Sequence, residues 1–274
     1  MPDIAMRFHK DFLAVSSGVE EILNISGQNY YDNLEFLSFV EPENIEDAYK
    51  RFIVPTGVPC VCLPTRKFTS AALRELNANE KLEDLIEAQL KIANSFDFQH
   101  LLFELGSAPL PLDPFSKNSL NHYKDQYIKT VKIAEGLEAK NSYSYCFDAW
   151  YLSGFDNVNK LKCALMGLAQ TSTKPIFVSC YYKENLIDFI SVANEFGAAV
   201  IGVHLDASQT SKFSDATEIL KNNTKLPLLL KFSTDELDDS STIDLLEQAK
   251  ASDFNFAQSF STETFPKTAL LASL

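Results

Sequence analysis

Eight short apolar runs alternating with segments of helical period, spread over 274 residues, predict an α/β chain of the (β/α)8 TIM-barrel class. The length agrees, since one such barrel takes about 250 residues. The near-continuous apolarity of each run agrees too, because a parallel strand covered by helices is buried on both faces. The rival architecture, an open doubly wound sheet, has fewer strands and opens on a glycine-rich turn. With 9 glycines and neither a GxGxxG nor a GxxxxGK[ST] spacing, the chain offers no such turn.

Taken in order, the first strand is expected in FLAVSSG (12–18) and the second in VPCVCLPT (58–65). The stretch 70–94 reads as helical, as one helix or as two broken near Asn77–Asn79. The third strand, QHLLFELG (99–106), leads into the proline-rich SAPLPLDPF (107–115), read as a long loop, and then into a helix over 118–140. SYSYCFDAW (142–150) is taken as the fourth strand. Val158, Leu161, Leu165 and Leu168 then recur at helical spacing over 157–171. After the fifth strand, KPIFVSCYY (174–182), residues Leu186, Phe189, Ile190, Ala193 and Phe196 form one apolar stripe over 184–197. Gly197 stands where a helix C-cap belongs. AAVIGVHLD (198–206) and LPLLLKFST (226–234) are the sixth and seventh strands. Ile243, Leu246 and Ala249 mark a helix over 241–252, FNFAQSFST (254–262) is the eighth strand, and a helical tail closes the chain over 265–274. No linker or low-complexity segment interrupts the series, so residues 1–274 are expected to form a single barrel domain.

Composition bounds the function. Hydrophobic residues at 46% and charged residues at 22% are globular values and exclude a disordered chain. The formal net charge is −13, with no Lys/Arg run, which argues against nucleic acid or an anionic membrane surface as partner. No apolar run reaches about 18 residues, so no membrane span is expected. The opening MPDIAMRFHKDF lacks a signal-peptide core. The five cysteines are odd in number and sparse, the pattern of reduced thiols in a cytoplasmic protein.

Barrel chemistry sits at the C-terminal strand ends. Here those ends carry Ser16, Ser17, Thr65, Arg66, Glu104, Asp148, Cys180, Tyr182, His204, Asp206, Lys231, Ser233, Ser259 and Ser261. Glu104, Asp148 and His204 are the candidates for catalysis, a carboxylate and imidazole set suited to moving protons; the competing reading is a rim of hydrogen-bonded residues. Ser16, Thr65, Cys180, Tyr182, Ser259 and Ser261 are the candidates for binding a small molecule at that face. Cys60-x-Cys62 reads as two buried core thiols, since a structural zinc site wants other spacings. Lys231 lies within an apolar run. It would be a Schiff-base lysine if its pKa were lowered, or else a side chain snorkelling outward between helices. Trp150, Tyr151, Phe155, Tyr181 and Tyr182 cluster near two neighbouring strand ends, either as a ring-stacking pocket or as core.

EPENIEDAYKRFIVPTGVPCVCLPTRKFTSAAL (41–73) resembles the homocysteine S-methyltransferase family, which includes the homocysteine domain of cobalamin-dependent methionine synthase. Pro42-Glu43, a helix through Tyr49, Gly57 and a strand ending in Leu63-Pro64-Thr65-Arg66 follow the family's order. FELGSAPLPLD (103–113), AAVIGVHLDAS (198–208) and FNFAQSFSTET (254–264) are similar to the family's Leu-Gly-Pro, Gly-x-Asn-Cys and Gly-Gly-Cys-Cys-Gly-Thr strand ends. The resemblance implies the same barrel. It also implies a zinc ion held by three cysteines that activates a thiol for methyl transfer. Those cysteines are replaced: Gly202-Val203-His204-Leu205 puts Leu205 at one ligand position, and Phe260-Ser261 takes the Cys-Cys pair. The opening Asp-Gly-x-x-Gly-Thr falls on Ser16-Ser17-Gly18-Val19-Glu20-Glu21, and the Glu-Thr of the fourth strand falls near Phe147-Asp148.

The expectation is therefore a divergent barrel without the zinc thiolate site. It would bind a small molecule at its C-terminal face or dock a partner such as a corrinoid methyl carrier. The alternative is an active methyltransferase with an altered substrate or metal site, so whether the chain is an enzyme stays open. No cofactor is expected, and zinc only if a ligand set from His204, Cys180 or Cys62 has been rebuilt. A third reading, a metal-free lyase, rests on Lys231.

Overall fold

A computed structural model describes residues 3–25, 34–141, 144–261 and 267–273. Eight parallel strands close into a barrel in chain order. They are β1 (Leu13–Val15), β2 (Cys60–Leu63), β3 (His100–Leu105), β4 (Ala149–Phe155), β5 (Ile176–Tyr181), β6 (Val200–Leu205), β7 (Leu228–Ser233) and β8 (Phe254–Phe260). The expected (β/α)8 barrel is what the chain forms. Around it stand α1 (Val19–Ile25), α2 (Leu34–Val40), α3 (Pro42–Ala48), α4 (Ser70–Glu75), α5 (Leu82–Ala93) and α6 (Lys117–Lys140). The ring continues with α7 (Val158–Thr171), α8 (Leu186–Glu195), α9 (Phe213–Asn223), α10 (Asp239–Ala251) and α11 (Thr268–Ala272). No helix among the described residues is long and apolar enough to cross a membrane.

Strand alternation sorts each run into two cores. Outward residues such as Val61, Phe103, Trp150, Val178, Val203 and Leu230 pack under the helices in the larger cluster. Inward residues Leu13, Val15, Cys60, Cys62, Leu102, Tyr151, Phe177, Val200, Leu229 and Phe256 fill the barrel. Both faces are buried, which is why the runs carry no polar alternation.

The helix boundaries follow local chemistry. Stretch 70–94 forms two helices, with Asn77 at φ +55° in the break. Thr69, Ser116, Asn157 and Asp238 side chains accept the first free amides of α4, α6, α7 and α10. Gly197 (φ +89°) follows the end of α8 in the left-handed region, as its position predicts.

One boundary differs. The fourth strand runs over Ala149–Phe155, not 142–150, and residues 142 and 143 lie outside the described ones. Aromatic Tyr143, Tyr145 and Phe147 have strand composition, but the register pairs Leu102 with Ala149 and Phe103 with Trp150, so the ladder starts later. The expected tail over 265–274 is described only as α11 and its flanks, and residue 262 of the eighth run is likewise outside.

The N-terminal end of the barrel is stoppered. Ile4 is fully buried there, and the Phe8 ring lies 5.9 Å from both Phe177 and Phe256. Arg7 bonds Asp11 at 2.7 Å and approaches His100 Nε2 at 3.4 Å, while Asp148 Oδ1 stands 3.6 Å from His100 Nδ1.

Candidate ligand-binding site

A cavity of about 550 Å3 opens at the C-terminal ends of the strands. Tyr181, His204, Lys231 and Phe260 face it from the barrel. Glu20, Glu21 and Asn24 reach in from α1, Glu35 from α2, and Arg66, Lys67, Gly106, Ser107, Gly154 and Asp206 complete the rim. Register explains the central group. Tyr181 pairs with His204, and His204 with Lys231, so three neighbouring strands present side chains at one level.

Beneath the cavity lies a polar layer. Glu104 accepts from Cys62 Sγ at 3.1 Å and from the Ser153 hydroxyl, and its backbone carbonyl accepts from Thr65 Oγ1 at 2.8 Å. The Tyr151 hydroxyl contacts Ser179 at 3.0 Å and Gln258 Oε1 at 2.9 Å, and Gln258 Nε2 donates to the Ser16 carbonyl at 2.8 Å. Each buried polar group here has a partner, which makes this layer a rigid floor.

The charges above it are less settled. Lys231 is 7% exposed, and its ammonium lies 5.8 Å from the Tyr151 ring and 5.9 Å from that of Phe260. Burial works against its charge, yet Tyr151, Glu104 and Glu21 together raise its pKa, so Lys231 is an ammonium at neutral pH. Lys231 does point inward and does not snorkel, but the lowered pKa that a Schiff-base nucleophile needs is not there. Burial also opposes ionisation of Glu104, and Lys231, Arg66 and its two hydrogen bonds overcome this and hold it below the usual carboxylate range. Glu20 and Glu21 go the other way. Burial first, then Glu104, pushes Glu20 up to about 7. Burial, opposed by Lys231, pushes Glu21 up to about 8. Glu21 also accepts from the Ser261 amide at 3.4 Å.

The Arg66 side chain crosses the mouth over two glycines. A Cβ on Gly106 would stand 2.9 Å from Arg66 Cγ, and one on Gly154 would stand 2.1 Å from Arg66 Nη2. Gly154 has φ +69° and sits where the β4–β5 register shifts, so backbone and clearance both demand glycine there. His204 stacks on Tyr181 (centroids 4.5 Å apart) and meets Phe260 edge-on at 4.6 Å. Burial, then Lys231 and Arg66, push its pKa down to about 2, so the ring is neutral. Its Nε2 is buried without a hydrogen-bond partner, with Asp206 Oδ1 out of alignment at 3.4 Å.

The residues expected to form the site fall in three places. His204 lines the cavity and Glu104 lies directly under it, linked to Cys62 and Ser153. Asp148 is corrected: it precedes β4 at the stoppered end, accepting from the Leu101 amide at 2.8 Å, and shares no site with His204. The six expected binding residues do not line this cavity. Cys180 and Tyr182 face outward into the larger core, because alternation turns Ser179 and Tyr181 inward. Ser16 Oγ accepts from the Cys62 amide at 2.9 Å, Thr65 holds the Glu104 carbonyl, and the Ser259 carbonyl accepts from Ser17 at 2.8 Å. The Ser261 hydroxyl is bonded to Asp235. These hydroxyls brace the strand ends. Strand-end reasoning missed Glu20 and Glu21, which come from a helix; two adjacent acids one residue past Ser16-Ser17-Gly18 were the available signal.

The fold has clear counterparts among solved structures. The chain is similar to homocysteine methyltransferase MmuM from Escherichia coli over 96% of each chain at 14% identity, with a TM-score of 0.75 to the metallated form and 0.77 to the oxidized form. It is more distantly similar to 3-dehydroquinate dehydratase from Geobacillus kaustophilus HTA426, at TM-score 0.52, 11% identity, and 96% and 91% coverage. No protein-family model and no curated protein matches the sequence. At these identities the likeness establishes a homocysteine-methyltransferase-like barrel as the fold, and the fold alone.

The donor chemistry at the positions assigned to zinc does not fit the ion. Leu205 is fully buried in the outer core, Phe260 is a cavity wall, and Ser261 offers a hydroxyl already bonded to Asp235. Among the described residues, no group of three His, Cys, Asp or Glu side chains is placed to hold a metal.

Proposed function

We propose that the chain is a divergent homocysteine-methyltransferase-like barrel that works without the zinc thiolate site and binds a small polar molecule in its mouth cavity. The observation that carries this reading is the cavity itself. Lys231, His204 and Glu35 are each more than nine-tenths buried and face open space, where an idle barrel would gain from apolar filling. A corrinoid methyl carrier docking on the same face is the partner form of this reading.

Two measurements test it. Elemental analysis of protein purified without chelator or metal-binding tag is expected to find no stoichiometric zinc; about one zinc per chain would overturn the zinc-free part. A polar metabolite library screened by thermal shift is expected to yield a binder that protects the protein and is weakened in Lys231→Met. No binder at all would overturn the ligand site.

A second reading has its own observation. Glu20 and Glu21, raised to about 7 and 8, are carboxylates poised to exchange protons at neutral pH. They suit an active enzyme with an altered substrate, with His204 as a neutral hydrogen-bonding group. Under that reading Glu20→Gln abolishes turnover of whatever ligand the screen finds; undiminished turnover would remove Glu20 from the chemistry.

A further inference from the structure

We infer that Lys231 and Arg66 form the seat for a carboxylate group of the small molecule bound in this cavity. The inference rests on the cavity being a ligand site and names the chemistry of what fills it.

Geometry carries the argument. The Lys231 ammonium is enclosed and open to the cavity, with the Tyr151 and Phe260 rings at 5.8 and 5.9 Å and the charges of Glu104, Glu21 and Arg66 acting on it. Arg66 is laid across the same space by the clearance that Gly106 and Gly154 leave. A guanidinium, which also hydrogen-bonds Tyr181, and an ammonium lining one cavity are suited to a planar carboxylate. His204 Nε2, buried and unpartnered, adds a donor in its Nε2–H tautomer.

The charge balance selects the class of anion. Facing one another are Lys231 from β7, Arg66 from the loop after β2, Glu104 from β3, Glu20 and Glu21 from α1, and Glu35 from α2, with neutral His204 from β6 and exposed Asp206 at the rim. Glu35 is paired with Lys67 at 2.9 Å. Glu104 offsets one of the two cations, buried Lys231 and exposed Arg66. The other is left to Glu20 and Glu21, both of which burial biases toward the neutral acid. Below pH 7, where both acids are protonated, the unmet charge approaches one positive unit, which a monocarboxylate satisfies and a phosphate dianion overfills. With the anion seated, Glu20 and Glu21 stay protonated and serve as hydrogen-bond donors. Anion binding is then linked to proton retention and weakens as these acids ionise between pH 7 and 8.

The test uses the full chain and a charge-swapped pair of equal size, propionate and propylamine, with inorganic phosphate as third probe, titrated at pH 6.5, 7.5 and 8.5 and followed by chemical-shift perturbation. Propionate is expected to bind, about tenfold more weakly at pH 8.5 than at 6.5, and Lys231→Met is expected to lose at least about tenfold in affinity at pH 6.5. Should Lys231→Met not fold, Arg66→Gln takes its place, and the pH trend of the wild type decides independently. Propylamine binding in preference to propionate, or propionate binding that tightens as pH rises, would overturn the carboxylate seat. Phosphate binding more tightly than propionate would overturn the monocarboxylate class. If all three probes fail, the metabolite screen separates the two ideas. A cationic or neutral binder overturns the carboxylate seat and leaves the ligand site standing. The absence of any binder overturns both.

Discussion

Replacing Glu21 by Gln is expected to stabilise the protein in alkaline buffer and to do little in acid. In the folded chain Glu21 is raised from 4.5 to about 8, with burial as the leading cause. An unfolded Glu ionises near its ordinary value. Between those two pH values the folded state holds a proton that the unfolded state has released, so stability is fully present below about 4.5 and is lost as pH climbs to about 8. At 1.36 kcal/mol per pH unit the complete loss approaches about 4–5 kcal/mol. Glu21 lines the open cavity, where solvent screens the charge, and about 2 kcal/mol is the reasoned figure. Glutamine keeps an oxygen for the Ser261 amide and carries no ionisable proton. Urea denaturation at pH 5.0 and pH 8.5 supplies the check. The variant should be about 2 kcal/mol more stable than wild type at pH 8.5 and within about 0.5 kcal/mol of it at pH 5.0. A variant no more stable than wild type at pH 8.5, or a difference independent of pH, would refute the buried-acid account of this mouth.

Other consequences are as direct. Gly154→Ala should cost about 2–3 kcal/mol, from the positive φ and from the 2.1 Å approach to Arg66. Adding Arg66→Ala should recover the contact part only, and additive losses in a double-mutant cycle would contradict the geometry. The His204 ring resonances should not titrate between pH 5 and 8, and an NMR midpoint near the ordinary 6.5 would contradict its enclosure by Tyr181, Phe260, Lys231 and Arg66. Glu104→Gln leaves Lys231 and Arg66 with less compensation and should lose about 3 kcal/mol in chemical denaturation at pH 7; a loss under about 1 kcal/mol would mean that the inner cations do not depend on it.

Barrel order was legible because each strand is buried on both faces, and the eight apolar runs mark that burial directly. What the runs could not convey was parity. In KPIFVSCYY every residue from Ile176 to Tyr182 reads as apolar, aromatic or small, and which half faces inward depends on a register shared with the neighbouring strands. Ser179 and Tyr181 face inward, and Cys180 and Tyr182 do not. His204 and Glu104 drew notice since a titratable group inside an apolar run requires a special environment wherever it points; the structure places His204 on the cavity wall and Glu104 with Cys62 and Ser153. Asp148 carried the same signal and belongs to the other end, because the aromatic lead-in 143–147 imitates a strand. Glu20 and Glu21 sit on a helix that leans over the rim, and strand periodicity holds no trace of that.

The strand ladder is unevenly knitted. β1 spans three residues and shares one registered pair with β2, Val15 with Cys60. Beyond it the Ser16 hydroxyl receives the Cys62 amide in place of a main-chain carbonyl, and Gln258 grips the Ser16 carbonyl from the far side. Every other neighbouring pair has at least three registered positions. This junction is the seam at which the cylinder is sewn shut, and amide hydrogen exchange should be fastest there among the strands. The acids of α1 hang from the thread: four residues after the Ser16 stitch comes Glu20, so loosening the seam moves the proton-bearing side of the mouth while the Lys231 side stays anchored in a fully laced sheet.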